Sequence, residues 1–261
     1  MKHSIIRKEP LILSILIAVF FETFLMSMSE RSFFGIFIDK SAVWGFFLVG
    51  IIINIAFAIY FVAARRLDKK NYFRYILPAL LYLSAFGFIF FSPVFVFNQI
   101  LVVLSFFLFA LIYNDILGDT RFVFTNLISF FTVFIFFFDC YSFFYVLNLP
   151  YWFVIFLVSG FSMLILLYKM KHIDMGKNYL YMFLLLFAII ISEFFLFSFF
   201  WPIQSIFVKS LLLLFVYYLF WGLNDLYVNN KFILRNVIKF MIFFVVVLAM
   251  SLGSLMLNIK K

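Results

Sequence analysis

Charged residues, histidine and cysteine are scarce in this chain. Only 12% of its 261 residues are charged, whereas about a quarter are charged in a typical soluble domain. The two histidines, His3 and His172, lie in polar segments, and the one cysteine is Cys140. A single cysteine allows no disulfide within the chain and does not reveal the redox compartment. With both histidines outside the apolar runs, neither a buried metal centre nor a histidine base is expected.

Catalytic motifs are missing as well. The sequence contains no His-Glu-x-x-His zinc-protease motif and no Gly-x-Ser-x-Gly nucleophile turn. Gly118-Asp119 lacks the preceding glycine of the intramembrane aspartyl-protease motif. There is no glycine-rich phosphate loop, and no Asp-rich cluster that would hold magnesium against a pyrophosphate. We therefore predict no catalytic residue, no metal ligand and no cofactor, and an enzyme is the least favoured class.

Helix-breaking residues are thinly spread. The chain has nine glycines and five prolines, and many transporters use such residues to break helices and expose backbone to a substrate. Only Pro78 lies past the first residue of an apolar run, and it falls in a first helical turn, where proline is tolerated. This pattern weakens the case for a broken-helix transporter. A transporter built from rocking helices remains open.

Apolar residues make up 68% of the chain, with 47 phenylalanines and a mean hydropathy of +1.21. No water-soluble fold buries so much apolar surface, so the bilayer is the predicted solvent. About 20 apolar residues cross roughly 30 Å of hydrocarbon, and they do so as a helix because the backbone must be paired internally. We predict an all-α, polytopic transmembrane helix bundle that forms one membrane domain over residues 1–261. Its nine spans are 10–29, 42–64, 75–92, 98–116, 122–140, 150–168, 179–200, 204–223 and 236–257.

The basic residues indicate the orientation in the membrane. A net charge of +9 is also typical of proteins that bind nucleic acid, but the lysines and arginines form short clusters between apolar runs, as the positive-inside rule requires. With the N-terminus inside, 15 of the 20 Lys and Arg residues lie in inner segments and four in outer ones. No small-residue cleavage site follows the basic segment Met1–Lys8, so the first helix is predicted to be uncleaved. We predict a multi-pass protein of the cell membrane with a cytoplasmic N-terminus and no nucleic-acid partner.

Polar residues recur along the chain at an offset that drifts only between 106 and 110. A tandem parallel repeat of four helices, 10–116 and 122–223, followed by a final helix at 236–257, explains these matches. Because each copy has an even number of spans, both copies have the same orientation in the membrane and are related by an axis along the membrane normal. The alternative is chance matching together with similar demands on the inner loops. The main matches pair Asn114-Asp115 with Asn224-Asp225, Arg121-Phe122 with Lys231-Phe232, Asn126 with Asn236, and Trp44 with Trp152.

Three ionisable side chains inside predicted spans, Glu22, Glu193 and Lys209, are the candidate binding residues, because charges in hydrocarbon are costly and often functional. Each lies about 10 Å below the predicted outer interface at 1.5 Å per residue. Glu193 and Lys209 flank the Trp201-Pro202 turn, so an ion pair between them is predicted, with Glu22 as a third member. The alternatives are a ligand or ion site, and a Lys209 that only snorkels to the interface.

Other polar and aromatic residues have structural interpretations. Asp139-Cys140 is placed at the outer end of the fifth span, with Cys140 as a packed thiol. Asn224-Asp225 lies at an inner helix end and is predicted to bond loop backbone. Four tryptophans near predicted helix ends match an aromatic belt at the membrane interface: Trp44, Trp152, Trp201 and Trp221.

One stretch of the chain resembles a known group of proteins. The stretch contains, in this order, Glu193, Trp201-Pro202, Lys209, Tyr217-Tyr218 and Trp221-Gly222-Leu223. This pattern resembles the tail of small uncharacterised multi-spanning membrane proteins of candidate-phylum bacteria, which contain a domain of unknown function. The resemblance is limited to that stretch. It implies a membrane protein and no particular activity, and no functional residue is carried over from it.

Two classes of function therefore stay open. The missing motifs and compact loops favour a non-catalytic membrane component that anchors or assembles with a membrane protein partner in the lipid bilayer. The intramembrane Glu193 and Lys209 favour a transporter of a small solute or lipid. A polar cavity that reaches Glu193 would support transport, and a dry packed bundle would support the partner role.

Overall fold

The structure of the protein is a computed structural model, which describes residues 8–28, 76–92, 94–118, 125–170, 177–200 and 205–228 and the isolated positions 45, 49, 52, 238, 242 and 245. In these ranges every regular element is an α-helix. The helices are α1 (Lys8–Met28), α2 (Ile76–Phe91), α3 (Phe95–Gly118), α4 (Thr125–Leu147), α5 (Tyr151–Met170), α6 (Lys177–Phe200) and α7 (Ile206–Val228).

Five of these helices, α3 to α7, are long and apolar enough to cross a membrane. α1 and α2 contain shorter apolar stretches, Pro10–Met26 and Ile76–Phe91. The described part of the chain is thus all-helical, as predicted, and its apolar helices are compatible with an integral membrane protein. The predicted spans 42–64 and 236–257 lie outside the described residues, apart from the six isolated positions, which are helical.

The helix α4 differs most from its predicted bounds of 122–140. It begins three residues later and ends seven residues later. The polar residues near position 140 do not stop the helix, because the Ser142 hydroxyl donates to the carbonyl oxygen of Phe138 one turn earlier, at 2.8 Å. The helix ends before Asn148, whose φ of 52° is the left-handed conformation that asparagine often takes after a helix.

The chain divides after Thr132 into two compact units, residues 1–132 and 133–261, and the division falls inside α4. In the first unit α1 packs along α3, and both helices contact α2. Aromatic rings of α1 stack on rings of α2: the centroids of Phe21 and Tyr82 are 5.2 Å apart and those of Phe24 and Phe86 are 4.3 Å apart. All four side chains are buried, so stacked rings fill the core between these two helices.

In the second unit α6 packs against α5 and α7, and side chains of α4 reach both α6 and α7. The hydroxyl of the buried Tyr141 on α4 lies 2.6 Å from Oγ of Ser198 on α6. The Phe134 ring of α4 meets the Phe207 ring of α7 edge-on, with centroids 5.2 Å apart. A hydrogen bond between two buried groups restricts the register of its helices, because leaving either group unpaired is costly.

Candidate functional site

Lys209 lies in the first turn of α7, three residues after Ile206, and only 3% of it is exposed. Its Nζ donates a hydrogen bond of 2.7 Å to the hydroxyl of Tyr145 on α4. The same nitrogen lies 5.2 Å from the ring centroid of Tyr145 and 5.4 Å from that of Phe199 on α6. Ring faces attract a cation within about 6 Å. Neutral groups of two neighbouring helices therefore hold this lysine in place.

The Phe199 ring is the centre of the aromatic cluster around Lys209. Its neighbours come from α4, α5 and α6, with centroids 4.5 to 5.8 Å away, and they are Tyr141, Phe144, Tyr145, Tyr151 and Phe195. Tyr145 and Tyr151 are half exposed, at 42% and 51%, so they form the outer edge of the cluster. The cluster offers hydrogen-bond donors and ring faces, but among these residues it contains no carboxylate or histidine that would form an acid–base pair.

The predicted ion pair between Glu193 and Lys209 does not form between these two described residues. Glu193 is exposed on α6, while Nζ of Lys209 points to Tyr145. Glu193 lies seven residues before the end of α6 and Lys209 three residues into α7, which is about 10 Å and about 4.5 Å from those helix ends. The two groups are thus offset along their helices, and the pairing was wrong. A binding role for either residue stays a prediction.

Glu193 lies in the middle of an exposed stripe along α6, which we call the α6 stripe. Its other members are apolar and exposed by 47 to 86%, and together with Glu193 they recur every three or four residues: Met182, Leu186, Ile189, Phe197 and Phe200. The opposite side of α6 is buried, with Leu184, Phe187, Ile191 and Phe195 all at 2% or less. Within the described part of the chain, the Glu193 carboxyl has no hydrogen-bond or ion-pair partner. One acidic group thus stands in an otherwise apolar surface.

Glu22, the third predicted binding residue, lies half-buried on α1 in the first unit. Its Oε1 accepts a hydrogen bond of 2.8 Å from Nε2 of Gln99 on α3. An amide donor satisfies a carboxyl oxygen without bringing a second charge into the helix pair. The structure therefore assigns Glu22 an internal partner that the sequence reasoning had not named. Its binding role also stays a prediction.

Asp139 is a candidate that the sequence reasoning missed. It was placed at the outer end of a span, but it lies eight residues before the end of α4 and is 2% exposed, next to the fully buried Cys140. Its Oδ1 is buried and has no hydrogen-bond partner among the described residues. The signal was present in the sequence, because the apolar run continues past Asp139 to Leu147. Ionisable residues inside transmembrane segments are costly and often belong to proton, ion or substrate pathways, which makes Asp139 a candidate functional residue.

A second polar cluster lies at the opposite ends of α5, α6 and α7. Nζ of Lys169, in the last turn of α5, lies 4.6 Å from the ring centroid of Trp221 on α7. The hydroxyl of Tyr179 on α6 donates to Oδ1 of Asn224 on α7 at 3.1 Å. Asn224 thus bonds a neighbouring helix rather than loop backbone, which corrects the prediction. Trp221 is buried by this packing, whereas Trp152 is 71% exposed.

The described residues contain no group of three His, Cys, Asp or Glu side chains that could hold a metal ion. No protein-family model, curated protein or solved structure matches the chain.

Proposed function

We propose that the protein is a non-catalytic integral membrane component that assembles with a membrane protein partner through the α6 stripe. The observation that supports this proposal is the position of Glu193, exposed at the centre of an apolar helix face. A charged side chain at the centre of a transmembrane helix costs about 2.5–3.5 kcal/mol on insertion scales. A second helix that covers the stripe and bonds the carboxyl removes that cost.

The internal contacts of the second unit support the same function. Lys209 is buried and bonded to Tyr145, so it is already engaged within the protein, and the carboxyl of Glu193 remains for another molecule. An apolar helix face is ordinary in a membrane protein, whereas an ionisable residue within such a face is costly and often functional. In a bilayer such a surface faces either lipid or another transmembrane helix, and lipid tails cannot hydrogen-bond Glu193.

Site-specific photo-crosslinking tests the proposal. We expect benzoyl-phenylalanine at Phe197, a member of the α6 stripe, to form one defined protein adduct in the native membrane. The matched control is the same substitution at Phe156 on α5, which is 71% exposed and should react with lipid alone. If both positions give lipid adducts only, the assembly function is wrong.

We also propose nine spans in the cell membrane with a cytoplasmic N-terminus. The support is the run lengths and the excess of Lys and Arg in the inner segments. Reporter fusions at Lys70 and at Lys177 should both report the cytoplasm. A periplasmic or extracellular signal from either one would show that the number of spans between them is wrong.

The tandem four-helix repeat is a further proposal, and two hydrogen-bond donors at equivalent positions support it. Gln99 on α3 and Lys209 on α7 are separated by the repeat offset of 110. Each donates a hydrogen bond to the first helix of its predicted unit, Gln99 to Glu22 on α1 and Lys209 to Tyr145 on α4. An experimental structure should superpose residues 30–130 on 140–240 in the same orientation. Copies that do not superpose would rule out the duplication.

A transporter of a small solute is the second candidate, and Asp139 is the observation that favours it. Buried carboxyls inside transmembrane segments are common parts of proton and ion pathways, and Asp139 lies in α4 without a hydrogen-bond partner for Oδ1 in the described residues. Transport would be supported if the interior of proteoliposomes acidifies when one small solute is added, and if the Asp139→Asn variant does not show this response. A panel of solutes that produces no proton movement would count against it.

A further inference from the structure

The α6 stripe has the length of a complete transmembrane contact. From Met182 to Phe200 it covers 18 residue steps, or about 27 Å at 1.5 Å per residue, which is close to the roughly 30 Å of a bilayer core. Its members are spaced by four, three, four, four and three residues, which is the spacing of a seam between two helices. The surface therefore fits one helix that crosses the membrane alongside α6.

The polar group in the stripe determines the chemistry of that helix. Glu193 is seven residues from Phe200, so it lies about 10 Å from that end of the stripe. The apolar residues on either side leave it as the one ionisable member of the stripe. A partner helix of Leu and Phe alone would bury the carboxyl without a bond. A lysine or arginine at the same depth would supply both a donor and the opposite charge.

A second copy of this chain is a poor match for the stripe. Two copies that meet through the same stripe bring two Glu193 carboxyls together, and like charges at close range are destabilising. In the described ranges the lysines within spans are Lys169 and Lys209, which are 8% and 3% exposed. Both are buried in their own aromatic clusters, so neither is offered to another copy.

We infer, on the premise of the assembly function proposed above, that the partner is a different protein whose transmembrane helix carries a lysine or arginine opposite Glu193. The basic residue forms an ion pair with the carboxyl, and the apolar residues of the α6 stripe pack along the rest of the helix. Charge decides which helix binds, and the apolar contacts hold it in place.

A synthetic transmembrane peptide tests this pairing with the complete protein. The probe is a leucine-rich 21-residue peptide with one lysine, placed to match the depth of Glu193, in phosphatidylcholine vesicles that contain the protein. Association is measured by energy transfer between a fluorescent protein fused to the N-terminus and an acceptor on the peptide. Polar contacts between transmembrane helices contribute about 0.6–2 kcal/mol. We expect the lysine peptide to bind about three- to thirty-fold more tightly than an all-leucine peptide.

Substitutions at Glu193 separate the charge from the apolar contact. Glu193→Gln should reduce the preference for the lysine peptide below about three-fold, and Glu193→Lys should reverse it in favour of a glutamate peptide. Both variants should fold, because the exposed side chain has no partner to lose among the described residues. Glu22→Gln is the matched control: Glu22 bonds Gln99 within its own unit, so the lysine preference should persist.

Equal binding of the lysine and leucine peptides, no measurable binding of either, or a preference that survives Glu193→Gln would each overturn the charge pairing. The photo-crosslink at Phe197 is independent of the peptides. A protein adduct at Phe197 without a preference for the lysine peptide would support the assembly function and contradict the basic residue in the partner helix. Lipid adducts alone at Phe197 would contradict both the assembly function and the basic partner helix.

Discussion

The helices α4 and α6 have 23 and 24 residues and are both apolar enough to cross a membrane, yet they are buried very differently. Within the protein, 61% of the α4 span is buried, against 28% of the α6 span, and α6 is the more apolar of the two. α4 instead has polar side chains with at most 2% exposure: Ser129, Thr132, Asp139 and Ser142. In a bilayer the most apolar helices can face lipid, while polar groups must face other helices.

The comparison also explains why two carboxyls in neighbouring helices differ in their expected role. Asp139 on α4 is enclosed by protein, so its surroundings are decided by the fold. Glu193 on α6 faces outward, so its surroundings are decided by whatever lies beside the protein. Substitutions of such groups should therefore reduce the stability of the protein strongly when they lie on α4 and only slightly when they lie on the exposed face of α6.

The largest difference should come from lysine substitutions at the two carboxyls. Asp139→Lys places a long, unpaired cation in a buried position of α4, and a buried charge without a partner costs about 3–5 kcal/mol. Glu193→Lys changes an exposed side chain and should leave the fold intact. Size-exclusion profiles of the two variants in mild detergent measure this contrast. Monodisperse Asp139→Lys protein would show that α4 is less enclosed than the structure indicates.

Large-to-small substitutions of phenylalanine give the next largest contrast. Phe137 on α4 is fully buried and Phe197 on α6 is 55% exposed. Phe137→Ala leaves a cavity and should cost about 3–5 kcal/mol, whereas Phe197→Ala should cost less than about 1 kcal/mol because lipid fills the space. Reversible unfolding in mixed micelles provides both free energies. Similar losses in the two variants would contradict the exposed position of Phe197 on the outer face of α6.

A double-mutant cycle identifies the partner of Lys209. Because Nζ of Lys209 bonds the Tyr145 hydroxyl, Lys209→Met and Tyr145→Phe should be coupled by about 1.5–3 kcal/mol, the usual range for a hydrogen bond to a charged group. Lys209→Met and Glu193→Gln should instead be additive within about 0.5 kcal/mol. The same unfolding assay measures both cycles. Strong coupling to Glu193 would restore the ion pair that the sequence suggested.

The smallest contrast lies between two serines of α6. The Ser198 hydroxyl lies 2.6 Å from that of Tyr141 on α4, and Ser192 donates only to the carbonyl oxygen of Ala188 in its own helix. Ser198→Ala should cost about 1–3 kcal/mol, because it leaves a buried tyrosine hydroxyl unpaired. Ser192→Ala should change the free energy of unfolding by less than about 0.5 kcal/mol. Equal effects would mean that the bond between α4 and α6 contributes nothing to stability.

The positions of the helices were largely predictable from the sequence, while the hydrogen-bond partners of their polar side chains were not. The described helices begin within three residues of their predicted starts, because run length and polar punctuation mark them directly. The C-terminal ends of α4 and α7 lie further along the chain than predicted, since polar residues such as Ser142 and Asn224 bond within or between helices rather than ending them. The hydrogen bond between Lys209 and Tyr145 was not predicted. Tyrosine is abundant in this sequence, and which residues lie beside a given tyrosine depends on the rotation of its helix.

The sequence by itself determined that the described chain is apolar and helical, because a backbone in hydrocarbon must satisfy its hydrogen bonds within each segment. It also predicted that Glu22, Glu193 and Lys209 lie inside helices, but it placed Asp139 at a helix end, whereas α4 continues to Leu147. Only the tertiary structure decided that Lys209 and Asp139 point inward and Glu193 points outward. In water a polar face reveals the outer side of a helix, but in lipid both faces are apolar. Rotation about each helix axis is therefore set by packing against neighbouring helices.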